Sequence, residues 1–138
     1  MTKLGKHIET GKIGESIAES FLKKLGYVII TRNYRKPWGE IDIISWSPNK
    51  TLTFIEVKAI KTKQQNPAIF AELTPEDNLT TSKLRKLRKI CEGFANQNPD
   101  LINEKRGWQI DLVAINFSGE PILTENDKNY IIRHYKNI

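Results

Sequence analysis

Cysteine and histidine are scarce in this chain of 138 residues, and no apolar run approaches the roughly 20 residues of a membrane span. The single cysteine, Cys91, excludes an internal disulfide and fits a reducing compartment. The two histidines, His7 and His134, are remote in sequence, which makes His134 a poor metal-ligand candidate. Met1-Thr2-Lys3-Leu4-Gly5-Lys6-His7 lacks the apolar centre of a signal peptide, so the expected location is the cytoplasm. Repeats, low-complexity segments and a second domain are all lacking, and the length suits one domain with a real core. A phosphate loop is missing too. Five residues separate Gly5 from Gly11 where the pattern has four, and Ile13 stands where Ser or Thr should follow Lys12. That weakens a third reading, a small-molecule phosphatase or nucleotide hydrolase, beside the two set out below.

Acid is the scarcer charge. Against 16 Asp and Glu stand 22 Lys and Arg, giving a net charge of +6 and a pI near 9.4. Such a balance favours a polyanionic partner, nucleic acid before an anionic membrane, with plain solubility as the bland alternative. The charge concentrates in a helix expected over Thr81 to Asn96, N-capped by Thr80, Thr81 or Ser82. Leu84, Leu87, Ile90, Cys91 and Phe94 form its apolar stripe, which makes Cys91 a core residue. Its outer face carries Lys83, Arg85, Lys86, Arg88 and Lys89, five cations in seven residues with no acid among them. Like charges at that spacing repel, and a phosphate backbone would relieve the repulsion and release counterions. A solvated basic face is the plainer alternative.

The chain is organised around one hairpin. Ile41-Asp42-Ile43-Ile44 and Leu52-Thr53-Phe54-Ile55-Glu56-Val57 flank Ser47-Pro48-Asn49-Lys50, a turn signal between two strand-forming runs. With Pro48-Asn49-Lys50 as the loop and Ser47 facing Thr51, Asp42 falls opposite Glu56, with Cβ atoms about 5 Å apart. Phe54, Glu56 and Lys58 share a face by alternation, and Glu40 shares one with Asp42. Two close carboxylates require a cation between them or a raised pKa on one. Lys58 supplies one charge, and a divalent ion with hard oxygen ligands, Mg²⁺ or Mn²⁺, would supply two more. Such a trio suits phosphodiester hydrolysis, in which the metal lowers the pKa of a bound water and the lysine holds the nucleophile or neutralises charge. Spacing alone leaves open a plain Glu56–Lys58 surface pair, which would contribute little. Glu40 is a secondary candidate, as a spare ligand or a supporting group.

Around this hairpin the sequence predicts one α/β domain, a central mixed sheet of about five strands flanked by helices. Residues 1–10 read as a loose basic lead-in. From Ile13 the apolar positions 13, 17, 21 and 25, with 18 and 22 beside them, trace a helix that stops at Gly26. Glu15 lies at the edge of that stripe, either reaching a metal on the sheet or serving as a first-turn acid. Tyr27 to Tyr34 is a strand, and Arg32, Arg35 and Lys36 are candidates for phosphate contacts. Lys61 to Thr80 reads as a mobile loop after the catalytic strand, or as one hiding a short helix near Phe70-Ala71. Trp108 to Ile115 is a strand, Pro121-Ile122-Leu123 a short edge piece, and Tyr130 to Tyr135 closes the sheet.

Asp42, thirteen intervening residues and Glu56-Val57-Lys58 resemble the core of the PD-(D/E)XK nuclease superfamily. Gly14-Glu15 with Ala18, Gly26-Tyr27, Arg32-Asn33, Gly39-Glu40-Ile41-Asp42, Phe54 to Lys58 and Ile110-Asp111 resemble, in that order, the YraN-like family of small bacterial proteins similar to Holliday-junction resolvases. The resemblance runs from about residue 11 to 117. It implies a restriction-endonuclease-like fold and a metal-dependent endonuclease, with Glu15, Asp42, Glu56 and Lys58 in the catalytic positions. Asp42, Glu56 and the Val57 carbonyl would bind Mg²⁺ or Mn²⁺. DNA is the implied substrate, branched or damaged DNA in particular, with RNA an alternative, and a homodimer is compatible with such substrates. Ile41 replaces the proline of the superfamily pattern, and Ala59-Ile60 replaces the usual Thr-Arg, a charge that Lys61 and Lys63 could restore. Gln109-Ile110-Asp111 stands where the family tends to have Arg-Phe-Asp. The rival reading is a nucleic-acid-binding module that keeps the fold without cleaving.

Overall fold

The computed structural model describes residues 3–62, 79–122 and 128–138. In chain order its elements are α1 (Lys3–Lys24), β1 (Val28–Lys36), β2 (Gly39–Trp46), β3 (Leu52–Thr62), α2 (Thr81–Gln97), a 3-10 turn (Pro99–Leu101), β4 (Trp108–Ser118) and β5 (Tyr130–Tyr135). The strands form one five-stranded sheet in the order β1-β2-β3-β4-β5. Neighbours pair antiparallel except β3 and β4, which are parallel and bracket α2 in sequence. This is the single mixed α/β domain that the sequence predicts.

Each helix covers one face of the sheet. Ala18 and Leu22 of α1 join Ile43, Ile55, Val113, Ile115 and Phe117 in one core. Leu87, Ile90, Cys91 and Phe94 of α2 join Ile44, Leu52, Phe54 and Ile110 in the other. Phe54 meets Phe94 and Trp108 edge to face, at 5.8 and 5.4 Å between ring centroids. Each such pair contributes about 0.5–1.5 kcal/mol beyond the area it buries.

Helix α1 begins at Lys3, so residues 3–10 are its first turns and not a loose lead-in. No proline interrupts Lys3 to Thr10. Once the stripe from Ile13 to Leu22 has docked, each preceding residue adds one backbone bond to an existing nucleus. The other end stops at Gly26, as predicted. Gly26 takes a φ of 94°, its amide donates to the Lys23 carbonyl and the Tyr27 amide to the Leu22 carbonyl, both at 3.0 Å, a left-handed cap that favours glycine. Gly14 has a different reason to be glycine: a Cβ there would lie 2.6 Å from the Ala59 Cβ. Its bareness lets α1 sit close against β3.

The β2–β3 loop is Pro48-Asn49-Lys50. The Ser47 amide donates to the Thr51 carbonyl at 3.0 Å, and Lys50 turns the chain with a φ of 65°. Three-residue loops of this kind set the register of the strands they join. Thr80 caps α2, its hydroxyl accepting the Lys83 amide at 3.2 Å.

Of the segment expected as a mobile loop over 61–80, residues 63–78 lie outside the described residues. Lys61 and Thr62 are paired with Phe117 and Ser118 in the sheet, and Leu79 is buried against α2. Lys63 and the Phe70-Ala71 helix lie outside the described residues, as does Leu123. Pro121 and Ile122 are in no strand; Pro121 has no amide to offer a ladder, and the Ile122 amide is taken by Asn129 Oδ1 at 2.8 Å. Among the described residues no helix is long and apolar enough to cross a membrane.

Candidate active site

The loop carries its register down the hairpin to the acids. Pairing between β2 and β3 runs from Trp46–Leu52 to Ile43–Ile55. Beyond it, β2 stays paired with β1 as far as Gly39, while β3 stays paired with β4 as far as Thr62. The sheet forks there, and Asp42 and Glu56 are the next residues on the two arms. At the fork a side chain replaces the ladder: Asp42 Oδ2 accepts the Val57 amide at 2.8 Å.

Asp42 is only 8% exposed, Glu56 is half-buried and Lys58 is exposed. Burial pushes the Asp42 carboxyl up to about 6; the Val57 amide opposes this, and the Glu15 and Glu40 charges and a hydrogen bond with Glu15 reinforce it. Glu56 is pushed up to about 8, by burial first and then by the charges of Asp42 and Glu40, with Lys58 the opposing cation and Glu15 a smaller repulsion. The fork thus gathers Glu15, Glu40, Asp42 and Glu56 into one electrostatic group, against which Lys58 is the cation acting on Glu56.

Glu15 reaches the group because α1 lies close on β3 at Gly14. Its carboxylate is also bound by Arg32 at 3.4 Å, and Arg32 reaches Glu19 at 3.1 Å. Arg32 is therefore a clamp between β1 and α1 and not an outward phosphate contact. Arg35 pairs with Glu40 at 3.2 Å, and the Lys36 ammonium lies 5.4 Å from the centre of the Tyr34 ring. Lys61 is occupied by Glu120 at 2.9 Å.

Helix α2 forms the other bank. Lys83, Arg85, Lys86 and Lys89 are exposed, as their spacing predicts. Arg88 is engaged with the carboxyl-terminal tail, donating to the Ile138 oxygen at 2.6 Å. Lys83 and Lys86 line a hollow of about 190 Å³ together with Trp38, Gly39, Glu40 and Glu56. Cys91 is buried in the core below, its thiol pushed up by burial and by the Glu56 charge, so it is no nucleophile.

Among the described residues no group of three or more His, Cys, Asp or Glu side chains is gathered to hold a metal. A cation at the fork would draw on two carboxylates, the Val57 carbonyl that the motif resemblance adds, and water. The donor chemistry fits a hard divalent ion: oxygen ligands, two of them mutually repelling acids held at a partly buried edge.

The model of the uncharacterised protein family UPF0102 matches residues 14–115. The chain belongs to this family. A UPF0102 protein of Desulfosudis oleivorans is 43% identical over 64% of the chain and 65% of its own length. A UPF0102 protein of Chloroherpeton thalassium is 34% identical over 91% of the chain and 84% of its own, and one of Desulforamulus reducens is 32% identical over 92% of each. UPF0102 is the YraN family that the motifs resemble, and this is consistent with the nuclease superfamily. The UPF0102 match begins at Gly14 and takes in the whole fork and α2, while β5 lies beyond it.

Two features of this UPF0102 chain escape a reading by spacing. Trp38, in the β1–β2 turn, is 66% exposed beside the fork; a large apolar residue between Pro37 and Gly39 is the signal that could have found it. His134, dismissed as a ligand, has a partner on the neighbouring strand, its Nε2 lying 2.8 Å from Asp111 Oδ2. Asp111 Oδ1 also accepts the Asn137 amide at 2.9 Å and the Gln109 side chain at 2.8 Å.

Proposed function

We propose that this protein is a Mg²⁺- or Mn²⁺-dependent endonuclease that hydrolyses phosphodiester bonds in DNA. The observation that carries the reading is the fork, where the Asp42 carboxylate takes the place of the ladder at Val57 and brings β2's acid to Glu56 and Lys58. Asp42, Glu56 and the Val57 carbonyl would hold the cation, which when bound supplies charge for the phosphate and acidity for a water. The amide of Val57 fixes the Asp42 carboxylate in one orientation. Lys58 donates a hydrogen bond to the attacking oxygen and neutralises charge as it develops on the phosphate. Glu15, steadied by Arg32, orients a water at the rim. Lys83, Arg85, Lys86 and Lys89 hold the flanking backbone.

Cleavage of labelled linear, single-stranded, flapped and four-way-junction DNA, with Mg²⁺, with Mn²⁺ and with EDTA, tests this. Cutting that needs metal and is lost in Glu56→Ala and Lys58→Ala is expected. Salt-sensitive binding with no cutting of any form would favour the non-catalytic binding module.

A further inference from the structure

We infer that Trp38 is a stacking platform for an unpaired nucleobase, so that the fork takes single-stranded or locally opened nucleic acid and not an intact duplex. The inference rests on the nucleic-acid reading above and narrows its substrate.

The three tryptophans of the chain have different fates. Trp46 donates its indole N–H to the Leu101 carbonyl at 3.0 Å, and Trp108 packs edge-on to Phe54. Among the described residues Trp38 is the most exposed of the large apolar side chains, at 66%. It follows Pro37 in the two-residue turn that closes β1 onto β2, between the paired Lys36 and Gly39. Proline fixes its own φ, which stiffens the turn that carries the indole.

The surroundings of the indole select the partner. The hollow beside it is lined by Glu40 and Glu56 on the sheet and by Lys83 and Lys86 on α2. An apolar protein segment laid over Trp38 would strip water from these charges without replacing it, which is costly. A nucleotide satisfies both halves, its base on the indole and its phosphate on the lysines. Base–aromatic stacking on a cationic groove is how single strands are held without sequence preference. A base inside an intact duplex has both faces already stacked, so only an unpaired base can offer a face to the indole.

The test is tryptophan fluorescence of the full chain titrated at low salt, in EDTA, with oligothymidylate and with a duplex of equal charge. The expected result is quenching by the single strand that persists in Trp46→Phe and Trp108→Phe and disappears in Trp38→Leu. Single-strand affinity should fall about 5- to 150-fold in Trp38→Leu, the range of one lost stack, with Trp38→Tyr restoring most of it and duplex affinity changing less than about twofold. Equal losses for both forms, or quenching that survives Trp38→Leu, would overturn the inference. Because no cleavage is involved, stacking by Trp38 in a protein that cuts nothing would leave this inference standing while the endonuclease reading fell.

Discussion

The Asp42 carboxylate accepts the Val57 amide at 2.8 Å, doing for one residue what a strand carbonyl does along the rest of the sheet. That bond holds an acid, buried to 8% exposure, at the point where β2 and β3 separate. The arrangement is electrostatically unfavourable by itself, because Asp42, Glu56, Glu15 and Glu40 repel one another there. Its consequences can be measured.

Stability of the metal-free protein should depend on pH in an unusual direction. In the unfolded chain both acids ionise near their ordinary values, while in the folded protein Asp42 keeps its proton up to about 6 and Glu56 up to about 8. Across that window the folded state binds more protons than the unfolded state, so stability falls as pH rises. Thermal unfolding in EDTA should show a Tm that declines from about pH 4 and levels above about pH 8. Glu56→Gln should flatten the upper part of the decline.

Gly14 and Gly93 should respond oppositely to alanine. A Cβ at Gly14 would lie 2.6 Å from the Ala59 Cβ, whereas one at Gly93 meets nothing within 4 Å. Gly14→Ala should lose about 1–3 kcal/mol by overpacking, while Gly93→Ala, inside α2, should gain about 0.5–1 kcal/mol. Urea denaturation separates the two. Gly14→Ala should also lower cleavage, because α1 carries Glu15.

Much of this was legible in the sequence because local chemistry fixes it. A three-residue loop sets the register, and register puts Asp42 beside Glu56; the helical stripe of α2 sorts its lysines from its core. What was not legible depends on docking. Nothing in Lys3 to Thr10 announces a helix until the turns after it are packed. Arg32 and Lys61 look like phosphate contacts until the docking of α1 and the turn after β4 bring Glu15, Glu19 and Glu120 to them, and Arg35 until the β1–β2 pairing sets Glu40 beside it. The Asp111–His134 pair requires knowing that β5 lies against β4.

That pair is a structural anchor, and removing it should be costly. Asp111 is fully buried and serves His134, Gln109 and the Asn137 amide together. Asp111→Ala leaves all three without their acceptor and should cost about 3–5 kcal/mol, read by chemical denaturation.

The basic bank of α2 should be graded by residue. Lys83→Ala and Lys86→Ala, at the hollow, should each weaken DNA binding and reduce the slope of log affinity against log salt by about 0.7–0.9. Arg88→Ala should change the slope less, since its guanidinium is already bound to Ile138.

The central claim is that the fork holds a divalent cation, and Mn²⁺ binding followed by electron paramagnetic resonance tests it most directly, with no substrate required. One Mn²⁺ bound per chain, lost in Asp42→Asn and in Glu56→Gln and retained in Lys58→Ala, is the predicted result. Mn²⁺ bound equally well by the Asp42 and Glu56 variants, or not bound by the native chain, would contradict it.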